Sequence, residues 1–173
     1  AKKSIDLNNT LTETYQIITD GKGTFAGQEA FIKSYGAQIR NLSTTWGVSQ
    51  KSIATGMQEV IRAGYDQKTA LGIAGGALKT AAATGEDYGK ILSGTTQIMS
   101  QFGLNVGSST QKVKAAADVN NMIAKVANDT QTSYVGLSQA MTKVGPIAKN
   151  MGYNVQQTAS MIGYMSNRGI DAA

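Results

Sequence analysis

The sequence predicts an all-α protein, a multi-helix array of short antiparallel helices joined by tight turns made of glycine, an apolar residue and a helix-capping residue. Three observations carry that prediction. Apolar residues recur at helical three- and four-residue spacing along nearly the whole chain. No window alternates apolar and polar residues with period two over a strand length. The third is a punctuation mark at Gly47-Val48-Ser49, Gly64-Tyr65-Asp66, Gly103-Leu104-Asn105, Gly152-Tyr153-Asn154 and Gly169-Ile170-Asp171, with a degenerate copy at Gly85-Glu86-Asp87. Glycine closes a helix in the left-handed conformation, the apolar residue folds back on the last turn, and Ser, Asp or Asn caps the next helix.

Taken in order, Leu7, Leu11, Tyr15 and Ile18 mark the first apolar stripe, in a segment (residues 1–24) that reads as a helical arm or linker. The remainder, 25–173, reads as one helical module. Phe31, Tyr35, Ile39, Leu42 and Trp46 form a longer stripe that ends at Gly47, with Gly36 a weak point. Ile53, Met57, Val60 and Ile61 follow up to Gly64, and an Ala/Gly-rich helix then carries Ala70, Ala74, Ala77, Leu78 and Ala81 to Gly85. The cleanest stripe, Tyr88, Ile91, Leu92, Thr95, Ile98, Met99 and Phe102, stops at Gly103. Val119, Met122, Ile123 and Val126 make the next. Tyr134, Leu137, Met141 and Val144 precede a break at Gly145-Pro146, where a kink or a helix end near Val144 is expected because proline lacks a backbone donor. Ile147 and Met151 continue to Gly152, and Val155, Ala159, Ile162 and Met165 run to Gly169. Glycine marks stand 17, 18 and 17 residues apart between 47 and 64, 85 and 103, and 152 and 169, enough for a helix of three to four turns and a tight connection.

Two features invite other readings. The run Gly72-Ile73-Ala74-Gly75-Gly76-Ala77-Leu78 has small residues suited to close helix packing, but it lies between Lys68 and Lys79 and is far short of the about 20 residues of a membrane span. Met57, Met99, Met122, Met141, Met151, Met161 and Met165 sit mostly on the stripes and read as core gap-fillers rather than an adaptable surface.

Composition excludes several kinds of chemistry. The chain has no Cys and no His, which removes disulfides, thiolate and imidazole metal sites, and Ser-His or Cys-His catalysis. Glu86-Asp87 is the single adjacent carboxylate pair and lies where a helix N-terminus favours negative charge. No phosphate-cradling loop ends in Gly-Lys-Ser/Thr. The expectation is a protein without enzyme activity, cofactor or small-molecule substrate. Charged residues make up 16% of the chain, against about 25% in ordinary domains, and Ser, Thr, Asn and Gln take their place, which suits surfaces that pack against other chains. The net charge is +5, and the lysines are scattered singly apart from the adjacent pair Lys2-Lys3. A DNA-contacting module is the alternative reading, and it needs Lys112, Lys114, Lys125, Lys143 and Lys149 on one face. The opening Ala1-Lys2-Lys3 and the closing Gly169-Ile170-Asp171-Ala172-Ala173, which reads as the start of a new helix, suggest a piece of a longer protein.

One ordered series of residues goes further. Phe102-Gly103-Leu104, Ala117-Asp118-Val119, Ala127-Asn128, Thr132-Ser133, Leu137, Ala140-Met141, Val144-Gly145-Pro146, Gly152, Thr158-Ala159 and Asn167-Arg168-Gly169-Ile170 resemble the core region of the tape measure proteins of long-tailed phages. Ile53 to Gly64 and Ala81-Ala82-Ala83-Thr84-Gly85 extend the resemblance upstream, so it covers the chain from about Gly47 onward. It implies a virion protein, made in the bacterial host cytoplasm and held in the tail lumen or tip. Such a protein sets tail length, associates with copies of itself, with tube and tail-tip proteins and with assembly chaperones, and leaves ahead of the DNA at ejection. The resemblance further implies a folded module rather than the long coiled-coil ruler.

Overall fold

The computed structural model describes residues 2–169, with side chains from residue 6 onward. The Ile170-Asp171 part of the last glycine mark, and the helix expected to start there, lie outside the described residues. Among the described residues there are eight α-helices and no strand: α1 (Lys2–Thr19), α2 (Phe25–Trp46), α3 (Gln50–Arg62), α4 (Gln67–Thr84), α5 (Tyr88–Phe102), α6 (Ser109–Asp129), α7 (Tyr134–Asn150) and α8 (Val155–Asn167). The all-α array is therefore the observed architecture. The chain forms two compact units that divide within α4, after Gly75.

In the first unit α1, α2 and α3 pack on one another. Residues 1–24, set apart above as an arm or linker, contribute α1 to this unit. Its core holds Leu11, Ile39, Ile53 and Met57, all essentially without solvent contact. An aromatic row runs through it, with ring centres 5.7 Å apart for Tyr15 and Phe31 and 4.9 Å for Phe31 and Tyr35. Gly23 and Gly27 leave room for the Tyr15 ring, which a Cβ at either position would strike. The Tyr35 hydroxyl donates to the Gln67 carbonyl at 3.2 Å and so ties α2 to the first turn of α4.

In the second unit α5 packs most extensively on α7, and α6 and α8 complete a four-helix cluster. The approach of α5 to α7 is set by small residues. A Cβ on Gly94 would lie 2.8 Å from Ser138 Oγ and 3.0 Å from Ser138 Cβ, so the two backbones stand closer than any larger residue allows. Gly163 does the same between α8 and α6, against Val126 and Thr130.

Left-handed glycines and polar caps make the joints. Gly47, Gly64, Gly85, Gly103, Gly152 and Gly169 all have positive φ. At Gly103 (φ 71°) the apolar neighbour folds back, Leu104 N–H donating to Met99 O at 2.7 Å, and Tyr65 and Tyr153 make the same bond to Val60 and Ala148. Ser49, Asp87 and Asn154 cap α3, α5 and α8, and Asp66 accepts from Thr69 N–H at 2.9 Å at the start of α4. The mark at Gly103 differs. Asn105 does not start a helix, because the chain turns again at Gly107 (φ 89°) and Ser108 caps α6 in a reciprocal bond pair with Gln111.

Pro146 corrects an expectation. It does not end a helix, and α7 continues through it to Asn150. Proline removes the N–H that would have bonded the carbonyl four residues back, that of Thr142. Gln101 of α5 fills the vacancy, its Nε2 donating to Thr142 O at 2.8 Å. Gly145, one residue earlier, is packed against Gln101 and Phe102, where a Cβ would collide with the Gln101 side chain. The neighbouring helix thus supplies what proline takes away.

Candidate functional site

Two places in the second unit hold side chains whose arrangement exceeds ordinary packing, and they lie at opposite ends of α7. The first is at its N-terminus. Glu86 Oε1 accepts from Tyr134 N–H at 2.8 Å and Oε2 from Val135 N–H at 2.9 Å, so one carboxylate binds two donors that the helix leaves free. Its neighbour Asp87 caps α5 through Lys90 N–H at 2.9 Å. The adjacent carboxylates of the sequence therefore serve two different helices. Below them the Thr95 hydroxyl (α5) lies 2.5 Å and the Tyr134 hydroxyl (α7) 2.7 Å from Asn120 Oδ1 (α6), tying three helices together out of contact with water. Burial pushes the Tyr134 phenol up to about 12, the Thr95 hydrogen bond opposes the rise and the Glu86 charge adds to it. Burial also raises Tyr35, with a smaller push from the charge of Asp66. These are structural polar contacts without an exposed nucleophile.

The second place is the candidate site. The C-terminal half of α7 and its C-cap present Val144, Ile147 and Met151, and α8 presents Met161, Tyr164 and Met165 across from them. Together they line an open groove of about 790 Å³ whose inner wall includes the buried Ala148, Thr158 and Ile162. Ile147 is 65%, Met151 68% and Tyr164 59% exposed, far from the few per cent typical of this chain's apolar helix positions. The seven methionines divide accordingly. Met57, Met99 and Met141 are fully buried, Met122 is partly covered, and Met151, Met161 and Met165 face the groove. The gap-filling reading holds for the first group only. Flexible thioethers and a tyrosine edge make a surface that can mould itself to a partner's side chains.

One edge of the groove carries a cation. The Arg168 guanidinium lies 4.9 Å over the Tyr164 ring and donates to its hydroxyl at 2.6 Å. Of the five lysines that a DNA-contacting face needs, Lys114 and Lys125 are ion-paired along α6 with Asp118 (2.6 Å) and Asp129 (2.7 Å). Lys149 points toward the end of α5, its Nζ 3.1 Å from where a Cβ on Gly103 would stand. Among the described residues no group of three or more His, Cys, Asp or Glu side chains could hold a metal ion, and no helix is long and apolar enough to cross a membrane. The groove offers apolar contact and one cationic edge, not acid–base chemistry.

Comparison with known proteins places this arrangement in a context. The family model described as phage-related minor tail protein matches residues 36–173, which include the groove. The tape measure protein of Pneumococcus phage Dp-1 is 29% identical over 133 residues, 77% of this chain and 11% of that protein. A probable tape measure protein of Escherichia phage P2 is 32% identical over 54 residues, 31% of this chain and 7% of that protein. The chain thus spans about a tenth or less of the length of the curated relatives it matches. No solved structure matches it.

Proposed function

This chain belongs to the phage-related minor tail protein family, that of the phage tail tape measure proteins, and from that premise we propose that it is a folded contact module of a tape measure protein. In this reading the module sits in the tail lumen or tip after synthesis in the bacterial host cytoplasm. It takes part in tail assembly and length determination, and it leaves with the tape measure at genome ejection. It acts by contacts with other copies of itself, with tube and tail-tip proteins and with assembly chaperones, not by catalysis.

The observation that carries the reading is the family match across residues 36–173. The exposed apolar groove of α7 and α8 supports it, because a surface of this kind is ordinarily covered by another chain. The scarcity of charge elsewhere adds support, since amide- and hydroxyl-rich faces pack at little desolvation cost. Deleting the segment from its parent protein in an infecting phage, and viewing the particles by electron microscopy, tests the role. Missing tails or tails of altered length are expected, and tails of normal length and infectivity would overturn it. Light scattering of the 173-residue chain over a wide concentration range tests self-association. A mass rising above the 18.1 kDa of one chain is expected, and a strict monomer would overturn that part.

A further inference from the structure

We infer that the α7–α8 groove receives an amphipathic helix of a partner protein that carries carboxylates beside its apolar stripe. This deepens the proposed contact role and rests on the groove being a contact surface. The shape argues for a helix. Two helices joined by a tight turn, with apolar side chains exposed on both walls of an open groove, form the kind of trough into which a third helix lays its ridge. Ile147 and the α7 C-cap Met151, one helical turn apart, face Met161 and Met165, one turn apart on α8, so each wall repeats with the period of an inserted helix.

Charge argues for an acidic partner. From Tyr88 to Gly169 the chain has seven cationic side chains and two carboxylates, Asp118 and Asp129. Both carboxylates are held in ion pairs along α6, by Lys114 and Lys125. The helices that build the groove, residues 134–169, contribute Lys143, Lys149 and Arg168 and no carboxylate at all. Glu86 is spoken for at the opposite end of α7 by the Tyr134 and Val135 amides. An incoming apolar helix therefore meets no carboxylate from these helices, and carboxylates on its flanks would be drawn to Arg168 at the Tyr164 edge. A second copy of this groove would offer Arg168 no carboxylate and is disfavoured by the same argument. A nucleic acid would have to place its phosphates over methionine and isoleucine side chains.

The test uses the 173-residue chain and two synthetic amphipathic helices of about 18 residues. They share one leucine stripe, and their flanks are glutamate in one and lysine in the other. Fluorescence anisotropy should show the glutamate peptide binding about tenfold or more tightly than the lysine peptide, with the difference shrinking as salt rises. Ile147→Glu and Met161→Glu, at positions exposed enough to leave folding intact by circular dichroism, should abolish binding. Arg168→Gln should narrow the preference and keep the apolar binding. Equal affinity for both peptides would overturn the charge assignment. Binding unaffected by Ile147→Glu would overturn the groove. Concentration-dependent self-association lost in Ile147→Glu would make a second copy the occupant, and capture by anionic but not neutral phospholipid vesicles, with neither peptide bound, would make it a lipid surface. Either result overturns the inference. Loss of tail function on deletion with no peptide preference would leave the assembly role standing and sink this one alone.

Discussion

The two halves of α7 carry similar apolar residues at the same helical spacing and meet opposite surroundings. Tyr134, Leu137 and Met141 in the first half are sealed between α5 and α6, whereas Val144 and Ile147 in the second half, with the C-cap Met151, line an open groove. The first half is also fastened by polar groups, through Glu86 on its terminal amides and the Thr95–Asn120–Tyr134 contacts. Between the halves lies the Gly145-Pro146 step, held to α5 by the bond from Gln101 to Thr142. One helix is thus a structural member at one end and a displayed surface at the other. Helical periodicity decides which face is apolar, and the surrounding chain decides whether that face becomes core.

Substitutions can break this contrast. The largest expected effect is Leu137→Ala, which should cost about 3 kcal/mol through lost burial and the cavity left behind. Ile147→Ala, at 65% exposure, should stay within about 0.5 kcal/mol. Urea denaturation of the pair measures the gap, and comparable losses would mean that the second half is core as well. Gly94→Ala comes next. It gains helix propensity but drives α5 from Ser138, for a net loss of about 1–2 kcal/mol read as a lower Tm. Glu86→Ala removes the charge and both acceptors at the start of α7 and should cost about 1–2 kcal/mol by chemical denaturation, with Glu86→Gln in between.

The smallest effect is one of pH. A folded phenol raised above its unfolded value favours the neutral form, so Tyr134 contributes stability in full below about pH 10, and the contribution is lost as pH climbs to about 12. Tyr134→Phe should flatten, without abolishing, the fall in Tm over that range, since Tyr35 is raised too. An unchanged slope would show that the Tyr134 hydroxyl is open to water.

Most of the helices were legible because their ends are written in short-range chemistry. Ser49, Asp87 and Asn154 cap helices from the third place of a glycine mark, and the apolar residue in the second place bonds back in three of the marks. The sequence misled where a competing local signal lay close by. Asn105 resembles a cap, but Gly107 turns the chain once more and Ser108 with Gln111 makes the stronger start. The joint between α6 and α7 has no glycine and is closed by Thr130 and Ser133 instead. Pro146 looked like an end because local rules cannot see Gln101, 41 residues away along the chain, supplying the missing donor.

The groove was invisible for a related reason. Ile147, Met151 and Met165 obey the same spacing as Leu137 and Met141, and nothing in that spacing records that, among the described residues, no helix lies over them. The signal that could have found it was electrostatic, the absence of any carboxylate between Tyr134 and Gly169.

The most direct test uses the methionines as internal reporters. Limited peroxide oxidation of the folded chain, read residue by residue by mass spectrometry, compares the groove with the core in one sample. An open groove beside a sealed core predicts that Met151, Met161 and Met165 oxidise quickly while Met57, Met99 and Met141 stay protected until the chain unfolds. Protection of the groove methionines equal to that of the core methionines, in dilute protein without a partner, would contradict it.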